Sequence, residues 1–112
     1  MTKTLPKIIK VGHFDIEIKV LPANISTEVC GEEGSFHARQ RIIYLAEDIV
    51  EKGGADLVCV LIHELMHVIY YQYGLTSSSS EEDVVNAMSN GVTELLTRTE
   101  LNTIINKQLR KK

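Results

Sequence analysis

The sequence predicts an α+β fold: a small antiparallel sheet of about three strands packed on a buried helix, with two further helices beside it. Three observations predict it. The N-terminal stretch alternates apolar and polar residues, the middle holds a long apolar segment free of Gly and Pro, and the last third carries apolar residues at helical spacing. The chain has 112 residues, 44% hydrophobic and 24% charged, with a net charge of -3. Such a composition is globular and excludes disordered or collagen-like chains. Its length suits one domain spanning residues 1–112. Mild acidity speaks against nucleic acid as a partner, since a dedicated binder carries a basic balance.

Residues 7–11 are rich in β-branched side chains, and residues 14–20 alternate strictly. Gly12-His13 between them predicts a hairpin with one wet face, and Pro22 ends its second strand. Residues 23–34 are irregular, with Gly31 and Gly34 as punctuation. From Ser35 to Leu45 the pattern predicts a third strand, exposed on one side through His37, Arg39 and Arg41. Residues 46–52 predict a helical turn, broken by Gly53-Gly54.

Residues 55–73 give the strongest helix signal. Their apolar side chains cover most of the circumference, which predicts a buried helix, with Gly74 as its C′ residue. A polar linker, Thr76 to Ser80, follows. Ser79 with Glu82, or Ser80 with Asp83, forms a capping box for a helix over residues 81–97. A last helix over residues 100–110 ends in Lys107, Arg110, Lys111 and Lys112, charges that suit a helix C-terminus. The longest uninterrupted apolar run, residues 57–62, falls far short of the roughly 20 residues a membrane helix needs. The basic N-terminus has no apolar core behind it and so is not read as a signal peptide. These features predict a cytoplasmic protein, with no membrane partner and with Cys30 and Cys59 as free thiols.

His63-Glu64-Leu65-Met66-His67 lies within the predicted buried helix. Histidines at i and i+4 share one helix face, so their ring nitrogens can converge on one Zn²⁺. Glu64 is rotated about 100° from His63, away from ligation and toward a water in an open coordination position. Zinc lowers that water's pKa to about 7, and a neighbouring carboxylate can take its proton. In a shuffled chain of this composition the motif is expected only about 0.01 times, so chance is a weak explanation. Two imidazoles and a carboxylate set without partners into an apolar helix would also be costly.

A third ligand has to come from the next helix. Glu82 is preferred and Glu81 is the alternative, with Asn86 one turn on as a hydrogen-bonding support. Both acids also suit a helix N-terminus without any metal. Cys59 precedes His63 by one turn, but a four-residue step drifts about 40° around the axis, so it reads as a small buried hydrophobe. Tyr70, Tyr71 and Tyr73 are candidates to lend a hydroxyl to an oxyanion, although tyrosines at a helix end more often serve packing. His37 is a further candidate for that role but reads as exposed, His13 reads as a bystander in the hairpin turn, and Cys30 reads as structural.

This arrangement resembles the gluzincin clan of zinc metallopeptidases: a strand from Gly34 through Leu45, the His63-Glu64-Leu65-Met66-His67 helix, then an acidic start to a second helix. It is most similar to the small members found in phages and mobile elements, the ImmA/IrrE-like group. The resemblance covers roughly residues 34–97 and implies His63, His67 and Glu82 as zinc ligands and Glu64 as general base. It also implies that part of residues 35–45 holds a peptide substrate in extended form. The usual Glu-Ala-Asn-like run of that group is replaced by Glu81-Glu82-Asp83-Val84-Val85-Asn86. Three functions follow as expectations. The first is a zinc-dependent peptidase acting on a peptide or protein substrate. The second is a non-catalytic zinc-containing binding or regulatory module of a phage or mobile element. The third is a metal-free helical interaction protein.

Overall fold

Alternation at period two builds the first hairpin. β1 (Ile8–Val11) and β2 (Phe14–Leu21) pair antiparallel, with Val11 opposite Phe14. Gly12 turns the chain at φ 62°, and its N–H donates to the Glu94 carboxylate at 3.1 Å. Ile9, Val11, Phe14, Ile16 and Ile18 point to one face and are buried, while Lys10, Asp15, Glu17 and Lys19 face solvent. The computed structural model describes residues 5–22 and 33–110. Cys30, expected to be a structural free thiol, lies outside them.

The segment expected to form one third strand forms two. β3 (Gly34–His37) and β4 (Ile42–Ala46) make a hairpin closed by residues 38–41. β4 inserts beside β2 and runs parallel to it, giving the order β1-β2-β4-β3. Among the described residues the sheet is therefore four-stranded and mixed, not three-stranded and antiparallel. Ala38-Arg39-Gln40-Arg41 contains neither Gly nor Pro, so the turn carries no ordinary sequence signal. Arg41 itself takes the left-handed conformation at φ 59°, uncommon for a long side chain. Its N–H bonds the His37 carbonyl at 2.8 Å, and its guanidinium stacks 4.1 Å above the Phe14 ring. Such a cation–π contact is worth about 0.5–1 kcal/mol at an exposed site.

The sheet's apolar face is covered by helices. α1 (Glu47–Lys52) leads into α2 (Gly54–Gln72), followed by α3 (Glu81–Arg98) and α4 (Leu101–Leu109). α2 buries Leu57, Leu61, Leu65, Val68 and Ile69 along one stripe. The opposite side, including Cys59, His63, Met66, His67, Tyr70 and Tyr71, is exposed. The expectation of a helix buried nearly all round thus fails: the sheet and neighbouring helices cover one face, and several apolar residues remain in solvent. By length and apolar composition α2 would suffice to cross a membrane, but here its stripe forms the core and polar side chains interrupt its centre.

Both ends of the α2–α3 connection are satisfied as expected. Gly74 N–H donates to the Tyr71 carbonyl and Leu75 N–H to the Tyr70 carbonyl, each at 3.1 Å, which is the Schellman pattern. Ser80 caps α3, its hydroxyl accepting from Asp83 N–H at 3.1 Å. α4 is tied to the start of α2 by the buried Gln108, whose Oε1 accepts from Gly54 N–H at 3.0 Å.

α3 lies antiparallel to α2, with Gly91 against Ile69 and Leu95 beside Leu65. A Cβ at Gly91 would sit 2.7 Å from two atoms of the fully buried Ile69. Gly91→Ala is therefore expected to destabilise the protein by about 1–2 kcal/mol, the overpacking cost outweighing the helix-propensity gain of up to about 1 kcal/mol. A thermal melt should show a Tm several degrees lower. A variant melting at or above the wild-type temperature would mean the helices do not meet at this point.

Candidate functional site

Steps of four, three, one and three residues along α2 lead from Leu57 through Leu61 to Glu64, Leu65 and Val68, the buried stripe of the helix. Glu64 is thus a carboxylate residue in an otherwise apolar seam, with only 6% of its surface exposed. The two histidines flank it on the open side. His63 and His67 Nε2 atoms lie 3.3 Å apart, with ring centroids 4.9 Å apart. Two nitrogens each bound 2.0–2.1 Å from a tetrahedral zinc ion stand about 3.3 Å apart. The pair is thus spaced as two ligands of one ion. The same spacing lets one imidazole donate its N–H to the other ring's free nitrogen.

These side chains open into a groove of about 380 Å³. One wall is α2, through His63, Glu64, His67 and Tyr71. The other is the sheet edge, through Gly34, Ser35, Phe36 and Ala38. A Cβ at Gly34 would lie 3.0 Å from Val60, so glycine permits this close approach of β3 to α2. β3 is the outer strand of the sheet. Ala46 N–H bonds the Glu33 carbonyl at 2.9 Å, which makes Glu33–Ala46 a hydrogen-bonded pair of the hairpin. Alternation then makes Ser35–Tyr44 a bonded pair too. Gly34 and Phe36, in the intervening pairs, direct their N–H and C=O groups outward from the edge.

Glu82 is not brought to the histidines. It is exposed in the first turn of α3, and its neighbour Asp83 lines a concavity with Tyr73, Gly74 and Leu75, past the end of α2. Glu82 precedes Gly91 by nine residues, while His67 lies two residues to the far side of Ile69. At about 1.5 Å per residue the two are separated by roughly 16 Å along the helix axis. The cause is the antiparallel overlap: with Gly91 set against Ile69, α3 begins past the end of α2 and the two helices meet only later in α3. Glu81 is exposed in the same first turn, and Asn86 lines the Tyr73 concavity instead of supporting a ligand. Among the described residues no group of three His, Cys, Asp or Glu side chains surrounds a metal position.

Other expectations fare variously. Cys59 is exposed, not a buried hydrophobe, and shares a concavity with Glu33, Val60, His63 and Glu64. Of the three tyrosines Tyr71 lines the groove, its ring 6.0 Å from Phe36 and 5.9 Å from Phe14. Tyr70 and Tyr73 are exposed elsewhere. His37 lies on the sheet's outer face, its Nε2 3.0 Å from Ser35 Oγ and its ring against Tyr44. His13 packs on Phe14 at the hairpin turn. Sequence reasoning missed Glu33 and Arg41, which reach the groove's surroundings only through the β3–β4 hairpin. Comparison of the chain with protein-family profiles, with curated proteins and with solved structures finds no match.

Proposed function

We propose that this protein is a zinc-dependent peptidase in a minimal gluzincin-like domain, with His63 and His67 as metal ligands and Glu64 as general base. The observation that carries the reading is the 3.3 Å separation of the two Nε2 atoms beside a carboxylate residue in an apolar stripe. Bound zinc supplies a Lewis acid that brings the pKa of a water close to neutrality. With zinc held there, Glu64 would be the group that accepts a proton from the attacking water and returns it to the leaving amine. Its seat in the apolar seam fixes the side chain and limits competing solvent. Gly34 and Phe36 orient the substrate by pairing with an extended peptide at the strand edge. Tyr71 is available to donate its hydroxyl to a developing oxyanion.

The ligand set favours a second reading, a non-catalytic zinc-containing regulatory module of a phage or mobile element. Among the described residues two histidines stand without a third ligand, fewer than the three usual in catalytic zinc sites. A peptide-library digest tests the first reading. We expect cleavage that disappears with a chelator and returns when zinc is restored. Zinc binding without any cleavage supports the regulatory module, and cleavage indifferent to chelation contradicts both.

A further inference from the structure

We propose that the groove reads the direction of an extended peptide, taking an aromatic or large apolar side chain at its Tyr71 end and a basic side chain at its Glu33 end. This rests on the peptidase reading of the same groove and names its substrate class.

The two ends differ chemically. At one, Tyr71 stands between Phe36 and Phe14, with ring centroids 6.0 and 5.9 Å away, and remains 46% exposed. An apolar side chain laid there covers aromatic surface. The Arg41 guanidinium over Phe14 repels a basic residue from the same end. At the other end a concavity of about 210 Å³ holds two carboxylate residues, Glu33 and Glu64, beside Cys59 and His63. It shares Gly34, His63 and Glu64 with the groove, so the two are continuous. Lys52, whose charge acts on Glu33, is bonded to Asp56 at 2.7 Å, so among the described residues no ion pair occupies the Glu33 carboxylate and it can attract a basic side chain from the groove.

The backbone supplies the order. β3 and α2 run the same way, since Gly34 lies beside Val60 and Phe36 beside Tyr71. Antiparallel pairing is the commoner mode between strands. A peptide paired so with β3 enters at Tyr71 and leaves at Glu33, so its aromatic residue precedes its basic one. Gly34 and Phe36, two residues apart, match the two-residue repeat that puts alternate peptide side chains on one face. A Phe-Ala-Lys segment meets both ends at once, and Lys-Ala-Phe places each side chain at the wrong one.

The test compares fluorescein-labelled Gly-Gly-Gly-Phe-Ala-Lys-Gly-Gly-Gly with its Lys-Ala-Phe isomer, by fluorescence anisotropy on the chelator-treated full chain. The forward peptide is expected to bind about tenfold more tightly. Glu33→Gln should weaken the forward peptide about threefold and leave the isomer unchanged. Tyr71→Ala should erase most of the preference. Equal affinity for the two isomers, tighter binding of the reversed one, or no binding of either overturns the proposal. Zinc stoichiometry and hydrolysis of a mixed peptide library are read separately, so failure here is distinguishable from failure of the peptidase reading.

Discussion

Glu64→Gln is expected to retain zinc and to lose peptide hydrolysis by about 10²–10⁴-fold, the range general-base catalysis contributes. The substitution keeps shape and volume but removes the basic carboxylate. His63 and His67 Nε2 are untouched by it, so zinc affinity should stay within about threefold of wild type. Stability should stay level or rise, because a neutral amide replaces a carboxylate in the stripe that Leu61, Leu65 and Val68 bury. A falling Tm would mean that the carboxylate serves packing or hydrogen bonding. Hydrolysis at the wild-type rate would remove Glu64 from the chemistry and leave the regulatory module as the better account.

His67→Ala is expected to reduce zinc affinity by at least about a hundredfold, since it takes away one of the two proposed histidine ligands. His63→Ala should do the same. Both rings are exposed, so the metal-free variants should melt within about 0.5 kcal/mol of wild type. Glu82→Ala should leave zinc affinity unchanged, because the start of α3 lies past the end of α2. A large loss from Glu82→Ala, with a small one from His67→Ala, would reverse the ligand assignment and the helix packing together.

Much of the fold was legible because local signals agreed. Strict alternation over residues 14–20 became β2, and the Gly74 and Ser80 punctuation became a Schellman turn and an N-cap. What escaped depends on tertiary placement. The turn at residues 38–41 is built around Arg41 in a conformation that side chains of its kind rarely take, so one expected strand became two. Periodicity shows an apolar α2 but not which side its neighbours cover, so Cys59 is exposed where burial was expected. The histidine pair was legible because i and i+4 spacing fixes convergence within one helix. The separation of Glu82 from the pair was not, because the antiparallel overlap of α2 and α3 is set by the Gly91–Ile69 contact and not by the length of the linker alone. Glu33 was invisible for a similar reason: it reaches the site only because β3 closes the sheet edge against α2.

The central claim is that two imidazoles one helical turn apart hold a zinc ion. Calorimetric titration of zinc into the chelator-treated full chain tests it most directly. The account predicts saturation at about one zinc per chain, abolished in the His63→Ala, His67→Ala double variant. A wild-type titration with no zinc uptake, or one the double variant reproduces, would contradict it.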